Sequence, residues 1–394
     1  MMSAVVSNPG HPEYGVATIP FPIPRDQYAH CMEMLEALEI GDALKADCKV
    51  EKIDSFYSVL KRTEMLTVNM EELNYLAKRL ESFDTGEAAQ FQAMAHKLEL
   101  FELKDLINLT FCCQQATVIT DFSDLAAIGR DHYMNLHGGS ASVDELNKLD
   151  VEETARQLID SGSGTITPYG VVYDNGMKLE QIYDGRFFPC YYYEPNAITV
   201  AVTSKAEPED TEHITWLYLP MEREEIDRAL LRGGITDPSE IRLSLEDSWF
   251  PHEVLDLLDM DHVDISELNA LVQALDEFSD MSIRKYAAAA VMARPHTTEQ
   301  AKHLAENLDL FDFAPSASTP EEYGKYMIRQ SGHFDYDENL DAFYDYEKYG
   351  TERMNAEDGM FTDRGYIAYK GYTSMEGMMN GSQSSHMEMG GLSR

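Results

Sequence analysis

Basic residues are scarce in this sequence of 394 residues. Only 31 Lys and Arg oppose 70 Asp and Glu, which gives a formal net charge of −39. Because phosphate binding requires Lys and Arg, this composition argues against direct binding to nucleic acid and to anionic membranes. Such a surface attracts basic partners and accelerates association with them. Solubility or halophilic adaptation would also account for the charge. Repulsion among so many like charges is costly, however, which suggests that the charge has a function.

Cysteines and long apolar runs are scarce as well. The five cysteines are odd in number and form no C-x-x-C pair, which predicts a reducing compartment and no zinc site. The opening residues MMSAVVSNPGHPEYG lack the basic and apolar segments of a signal peptide. No apolar run approaches the ~18 residues of a membrane span. We therefore expect a cytoplasmic protein, and its 44% hydrophobic content suffices for folded cores.

Motifs of common catalytic and metal sites are also missing. The sequence has no HExxH, Walker loop, GxSxG or GxGxxG in a strand–helix setting. The run Asp335–Asp341 begins like a calcium loop, but Leu340 and Tyr346 replace the Gly and Glu that the sixth and twelfth positions require. Cys112 and Cys113 have no cationic neighbour and are interpreted as buried structural thiols. We predict no enzyme, no cofactor and no metal.

An internal repeat is what the sequence does contain. Residues 71–84 (EELNYLAKRLESFD) match residues 266–279 (SELNALVQALDEFS), and residues 164–173 (GTITPYGVVY) match residues 359–368 (GMFTDRGYIA), both at an offset of 195. Several matches in order predict a tandem duplication with copies of roughly 165 residues. Further pairs at the same or a similar offset are Gly129 with Gly324, Pro22 with Pro220, and Arg25 with Arg223.

Each copy is predicted to pass from strands and a helix, through amphipathic helices, to a β-rich end. The expected strands and first helix are Val16–Phe21, Pro24–Leu38 and Cys48–Ile53 in copy one, and His213–Leu219, Pro220–Leu231 and Glu240–Leu245 in copy two. Later helices are expected to begin near Asp124 and Asp150, and near Thr319 and Glu338. The β-rich ends are Thr165–Tyr173 and Met360–Tyr369.

Five segments follow from this pattern. We expect an N-terminal extension over 1–14, copy one over 15–180, a connecting β-hairpin or linker over 181–212, and copy two over 213–370. The final segment, 371–394, is rich in Gly, Ser and Met without periodicity, and we expect it to be disordered.

The acidic residues are densest between residues 331 and 359. This stretch holds nine acids, two bases and six aromatic residues. A helix over Glu338–Tyr349 would place Glu338, Asp341 and Asp345 within an arc of roughly 60°, with Leu340 and Phe343 facing a core. A solvated helix face would have the same pattern. Because like charges at i, i+4 destabilise a helix, however, aligned acids also suggest a function.

A DNA duplex carries one phosphate charge per ~1.7 Å of axis, so −39 corresponds to roughly 20 base pairs. A rigid protein with carboxylates in place of phosphates could therefore occupy a DNA-binding groove. The candidate phosphate-mimicking acids of copy two are Glu321, Glu322, Asp335, Asp337, Glu338, Asp341, Asp345, Glu347, Glu352, Glu357 and Asp358. Those of copy one are Glu145, Asp150, Glu152, Glu153 and Asp160.

Copy two resembles the antirestriction protein ArdA family between about Ile214 and Tyr369. The resemblance is carried by AKHLAENLDLFDF, by EEYGKYMI and by LDAFYDYEKYGTERMNAEDGMFTDRGYIAY. Copy one keeps ELN and GTITPYG but has EETARQLIDSG in place of the YDYEKYG aromatics, so it resembles a diverged member. Within the family's antirestriction segment, here about Leu340–Thr351, the resemblance assigns Asp341, Asp345 and Glu347, with Glu352 just beyond.

The resemblance implies a fold class and a function. It implies an elongated α+β chain of small helical and antiparallel-sheet domains, here with two ArdA-like copies in tandem. The family mimics bent B-form DNA, occupies the DNA groove of type I restriction–modification enzymes, and protects incoming mobile DNA. The doubling implies a monomeric pseudo-dimer or a homodimer that contacts the DNA-binding and methyltransferase subunits. The alternative is an acidic interaction module that binds another basic DNA-binding or nucleoid protein.

Overall fold

The computed structural model describes residues 2–193, 196–206 and 213–381. Helices and small antiparallel sheets make up this α+β protein. The chain divides into two compact units that interleave along the sequence. Unit 1 comprises Met1–Glu194, Asp210–Trp216 and Glu222–Thr236, and unit 2 comprises Pro195–Glu209, Leu217–Met221 and Asp237–Arg394.

The strands are short, and each belongs to a sheet of three or four strands. In chain order they are β1 (Met2–Ser7), β2 (Val16–Phe21), β3 (Cys48–Asp54), β4 (Thr67–Val68), β5 (Thr117–Ile119), β6 (Thr165–Thr167), β7 (Gly170–Tyr173), β8 (Ile198–Ser204), β9 (Thr215–Leu219), β10 (Ile241–Ser248), β11 (Phe311–Pro315), β12 (Met360–Thr362) and β13 (Gly365–Tyr369).

The helices connect these sheets, and most of them are capped at the N-terminus by a side chain. In chain order they are α1 (Tyr28–Ala37), α2 (Met70–Glu81), α3 (Thr85–Lys97), α4 (Leu103–Leu109), α5 (Leu125–Leu136), α6 (Val143–Lys148), α7 (Val151–Asp160), α8 (Arg223–Arg232), α9 (His252–Leu255), α10 (Ile265–Leu275), α11 (Asp280–Ala293), α12 (Thr298–Glu306), α13 (Pro320–Arg329), α14 (Tyr346–Glu357) and α15 (Met375–Met379). None of the helices in the described ranges is both long and apolar enough to span a bilayer.

The first sheet has the strand order β2-β1-β3-β4. Strand β1 lies between β2 and β3 and is antiparallel to both. The prediction that residues 1–14 form an extension before the first strand is therefore wrong for this segment. Its alternating residues Met2, Ala4 and Val6 are buried in the core, which is the pattern of a strand with one buried face.

The β-hairpin predicted after copy one is present only in part. Strands β8 and β9 are neighbours, as that prediction requires, but residues 181–193 contain no strand. Aromatic stacking explains the difference. The ring of Phe188 lies 4.5 Å from Tyr75 of α2 and 5.1 Å from Tyr183, so this segment packs along a helix instead of pairing with a strand.

The predicted disordered tail also differs from the structure. Residues 375–379 form helix α15, which is capped by the Ser374 hydroxyl accepting from the Gly377 amide at 3.0 Å. The side chains of Met378 and Met379 are buried, and the Met379 carbonyl lies 2.8 Å from Nδ1 of His303 on α12. Burial of two methionines gives this segment the apolar contact that composition alone did not indicate. Residues 382–394 lie outside the described part of the chain.

The two halves of the chain share their order of strands. The sheets β2-β1-β3 and β9-β8-β10 have one connectivity, and the sheets β5-β7-β6 and β11-β13-β12 have another. The asparagine of the repeated ELN sequence accepts a backbone amide in both halves. Asn74 Oδ1 accepts from the Ile23 amide at 2.8 Å, and Asn269 Oδ1 accepts from the Met221 amide at 2.9 Å.

Arg232, at the end of α8, is 5% exposed and connects four segments of unit 1. Its Nε donates to the Arg186 carbonyl at 2.8 Å, and its Nη1 donates to the Ala43 carbonyl at 2.9 Å. Its Nη2 donates to the Tyr183 hydroxyl and lies 3.7 Å from the Glu72 carboxylate. Removing this cation would leave a buried carboxylate and several carbonyls without their partner.

We expect Arg232→Met to destabilise unit 1 by about 3 kcal/mol, because the buried partners of the guanidinium lose their donors. The matched change Arg223→Met, at an exposed position of the same helix, is expected to cost less than about 0.5 kcal/mol. Amide hydrogen exchange of α2 measures both values. Equal protection of α2 in the two variants would contradict this role for Arg232.

Candidate acidic partner-binding surface

The acidic C-terminal region is built on a close crossing of α13 and α14. A Cβ added at Gly324 would collide with the Tyr346 carbonyl, and one added at Gly350 would collide with the Pro320 carbonyl. Glycine is therefore required at both positions for the backbones to approach this closely. The same crossing occurs between α5 and α7, where a Cβ at Gly129 would meet the Val151 carbonyl. The predicted Gly129–Gly324 match thus corresponds to a shared helix contact.

The predicted single helix over Glu338–Tyr349 is wrong. Residues Glu338–Phe343 form a 3-10 helix, Tyr344 has extended backbone, and α14 begins at Tyr346. Asp345, which lies inside the predicted helix, causes the interruption, whereas Asp337 precedes that helix. Asp337 accepts from the Asn339 amide at 2.9 Å, and Asp345 accepts from the Lys348 amide at 3.0 Å, so each begins a new turn. The predicted 60° arc of three acids does not form.

The predicted core contacts of this segment are wrong as well. Leu340 is 48% exposed and Phe343 is 83% exposed. The core of this region is instead formed by other residues of α13, α14 and the sheet, since the 3-10 helix turns these two side chains outward. The buried members are Ala314, Ala317, Tyr323, Met327, Tyr366 and Ala368, with Tyr326, Tyr349, Met354 and Phe361 packed against them.

Asp341 is fixed by three donors. Its Oδ1 accepts from the Tyr336 hydroxyl at 2.7 Å, from the Tyr346 hydroxyl and from Nη2 of Arg329. The hydrogen bond from Tyr346, followed by those from Tyr336 and Arg329, lowers the pKa of Asp341 to about 2. This carboxylate therefore holds the 3-10 helix against α13 and α14, and its charge is balanced by Arg329.

Asp341 should stay ionised well below the usual range of a carboxyl. Its folded pKa is lowered to about 2, so its contribution to stability is complete above the unfolded pKa of about 4 and is lost as the pH falls through about 2. A ¹³C NMR titration of the Asp341 carboxyl is expected to have its midpoint near pH 2. Tyr346→Phe removes the largest cause of the shift and should raise that midpoint. A midpoint near pH 4 in the unmodified protein would contradict the three-donor contact.

Glu357 is buried in a polar cluster, although the sequence predicted it as a surface acid. Its side chain is 10% exposed, pairs with Arg353 of the same helix, and lies 3.9 Å from Lys370. The Tyr323 hydroxyl donates to Glu357 Oε2 at 2.6 Å. At the offset of 195, the positions of Tyr323 and Arg353 correspond to the apolar Ile128 and Leu158 in the other half.

We expect Glu357→Gln to destabilise the α13–α14 region by about 3 kcal/mol, because it leaves Arg353 without its buried counter-charge. Glu352→Gln makes the same chemical change at an exposed position of the same helix and is expected to cost less than about 0.5 kcal/mol. Amide hydrogen exchange of α14 compares the two variants. If the amides of α14 are equally protected from exchange in the two variants, the pair of Glu357 and Arg353 does not stabilise this region.

Several other predicted acids are held by caps or by local ion pairs. Glu322 accepts from the Ser318 amide at 2.8 Å, Glu145 accepts from the Ser142 amide at 2.8 Å, and Asp150 accepts from the Glu153 amide at 3.1 Å. Hydrogen bonds from the Ser318 hydroxyl and then its amide lower the pKa of Glu322, and those from the Ser142 hydroxyl and then its amide lower the pKa of Glu145. The ion pairs join Glu321 to Lys325, and both Glu152 and Glu153 to Arg156.

Six predicted acids remain exposed, and within the described ranges no ion pair or hydrogen bond engages their carboxylates. On α14, Glu347, Lys348 and Glu352 are exposed. Glu338 opens the preceding 3-10 helix. These acids have charge that is free to meet a basic partner. The six are Asp335, Glu338, Glu347, Glu352, Asp358 and Asp160.

The partial calcium motif does not come together as a metal site. Within the described residues, no group of three or more His, Cys, Asp or Glu side chains could hold a metal ion. Asp337 accepts from both the backbone and the side chain of Asn339, at 2.9 and 3.0 Å. Asp341 is bound to Arg329 and two tyrosines, so Asp337 and Asp341 of the motif are both engaged elsewhere.

Comparison with known protein families gives a match within the second half of the chain. Residues 211–368 match the family model of the antirestriction protein ArdA. This match confirms the resemblance predicted for copy two, and it does not extend to copy one. Neither the search of curated proteins nor the search of solved structures gave a match to this chain.

Proposed function

We propose that this protein is an antirestriction protein that acts as a DNA mimic. In this proposal its acidic surface occupies the DNA-binding groove of a type I restriction–modification enzyme in the cytoplasm and protects incoming mobile DNA. The observation that carries the proposal is the match of residues 211–368 to the ArdA family. The net charge of −39 supports it, because an anionic surface gains the electrostatic part of DNA affinity inside a cationic groove.

The acids proposed to replace phosphates are the exposed ones of the C-terminal region, chiefly Glu338, Glu347 and Glu352. Their positions are fixed by the elements that carry them. Asp345 caps the helix that bears Glu347 and Glu352, and Asp341 holds the turn that bears Glu338. A fixed array loses less side-chain and loop entropy on binding than a flexible one, which favours affinity. Asp341 and Glu357 then act as supports and not as contacts.

We also propose that residues 15–180 are a second, diverged ArdA-like copy. The shared Asn contacts and the shared order of the closing sheets, β5-β7-β6 and β11-β13-β12, support this proposal. So does the closing turn of each half, where the Thr167 hydroxyl donates to the Gly170 carbonyl and the Thr362 hydroxyl donates to the Gly365 carbonyl, each at 2.8 Å. A fused pair of copies would present a monomeric pseudo-dimer, or a longer homodimer, to the DNA-binding and methyltransferase subunits.

The proposal predicts the effect of removing three exposed acids. The triple variant Glu338→Gln, Glu347→Gln and Glu352→Gln is expected to inhibit a purified type I methyltransferase about tenfold less well in competition with its DNA. This estimate takes about 0.5 kcal/mol for each lost charge contact. The concentration for half-maximal inhibition of DNA methylation measures the effect, with DNA binding by gel shift as a second readout.

A matched control variant distinguishes the loss of these particular acids from the loss of total charge. The triple variant Asp26→Asn, Glu33→Gln and Glu36→Gln removes three exposed charges at and beside α1. It is expected to change inhibition by less than about twofold, because charges outside the contact act mainly through the association rate. Equal losses in the two triple variants would contradict a role for the C-terminal acids. Failure of the unmodified protein to displace DNA would contradict the proposed function itself.

A further inference from the structure

A groove lies in unit 1, beside the end of the first sheet. Two adjoining clefts of about 420 Å³ and 250 Å³ share Met2, Ser55 and Phe56. Their apolar lining comes from strands β1 and β2, from the bend after β3, and from α2 and α3. These lining residues are Met2, Pro20, Phe21, Phe56, Tyr57, Ala77, Leu80, Phe83 and Ala88.

One aromatic side chain of this groove, Phe56, is exposed, while its neighbour Tyr57 is held by hydrogen bonds and packing. Phe56 is 73% exposed. The neighbouring Tyr57 donates its hydroxyl to the Leu80 carbonyl at 2.6 Å, and its amide donates to the Ser55 hydroxyl at 3.1 Å. The Tyr57 ring also packs edge-on against Phe91 at 5.9 Å. The Phe56 ring packs edge-on against this anchored Tyr57 at 5.5 Å and is otherwise largely exposed.

All charged side chains that line the groove are acidic. Asp54, Glu81 and Asp84 are among the lining residues, and no Lys, Arg or His is among them. The Asp84 carboxylate caps α3 by accepting from the Glu87 amide at 2.9 Å, while Asp54 and Glu81 are exposed. Apolar side chains next to acidic ones make this groove complementary to a ligand that carries an apolar side chain between cations.

We propose that this groove binds a basic peptide segment, with an aromatic or large aliphatic side chain inserted beside Phe56 and Lys or Arg residues facing Asp54, Glu81 and Asp84. The groove lies outside residues 211–368, and it shares no residue with the acids assigned to DNA mimicry. This binding therefore stands or falls separately from the antirestriction function. It would give unit 1 a peptide-binding role of its own.

The test uses the full chain and three synthetic peptides, Ac-KKFKK-NH₂, Ac-KKSKK-NH₂ and Ac-EEFEE-NH₂, in isothermal titration calorimetry. Binding of the first is expected to be at least about tenfold tighter than binding of the other two, since one lacks the apolar anchor and the other reverses the charge. The serine peptide measures the general attraction of a cationic peptide to an acidic protein. Absence of binding, or equal affinity for the lysine–phenylalanine and lysine–serine peptides, would overturn the proposal.

Two substitutions locate the binding. Phe56→Ser and Glu81→Gln are each expected to weaken binding of Ac-KKFKK-NH₂ by about fivefold or more. Phe101→Ser removes an exposed phenylalanine of unit 1 that does not line the groove, and it should leave the affinity unchanged. Because Phe56, Glu81 and Phe101 are exposed, these variants are expected to fold. An equal loss in Phe101→Ser, or no loss in Phe56→Ser, would overturn the location.

Discussion

Electrostatic self-repulsion is the constraint on which this structure depends, since 70 acids share one chain with 31 bases. Many carboxylates are placed where the backbone itself stabilises them. Aspartates cap the N-termini of α3, α5, α7, α10 and α14, where their oxygens accept backbone amides and lie at the positive end of the helix dipole. Others pair with the few cations, as Asp341 does with Arg329 and Glu357 with Arg353. The acids thus organise the fold as well as its surface.

This placement divides the acidic residues of the C-terminal region into two groups. Carboxylates engaged in caps or buried pairs fix the helices, and the exposed ones on those helices remain available to a partner. The glycine-mediated crossing of α13 and α14 supports the arrangement, because it brings the two acid-bearing helices together without bulky side chains between them. A partner with a cationic groove would therefore meet charges on stiff elements, which is what mimicry of a DNA backbone requires.

Local signals in the sequence predicted much of the fold. The strand predicted over Val16–Phe21 is β2 with the same bounds, and Asp124, Asp150 and Thr319 were predicted helix starts that prove to be side-chain caps. The predicted Glu338–Tyr349 helix is wrong because Asp345 could serve either as an acid on a helix face or as a cap that begins a new helix, and the structure has the cap. The contact of Asp341 with Arg329 was not predictable, because an irregular turn separates the two residues and no periodicity relates them. The burial of Glu357 likewise depends on tertiary packing.

The central claim is that fixed carboxylates provide the electrostatic attraction normally supplied by DNA phosphates. The most direct measurement is the affinity of this protein for a purified type I methyltransferase as a function of salt concentration. The account predicts that the association constant falls roughly tenfold or more between about 50 and 200 mM salt, in parallel with the enzyme's affinity for DNA. An association constant that stays the same across that range would contradict it.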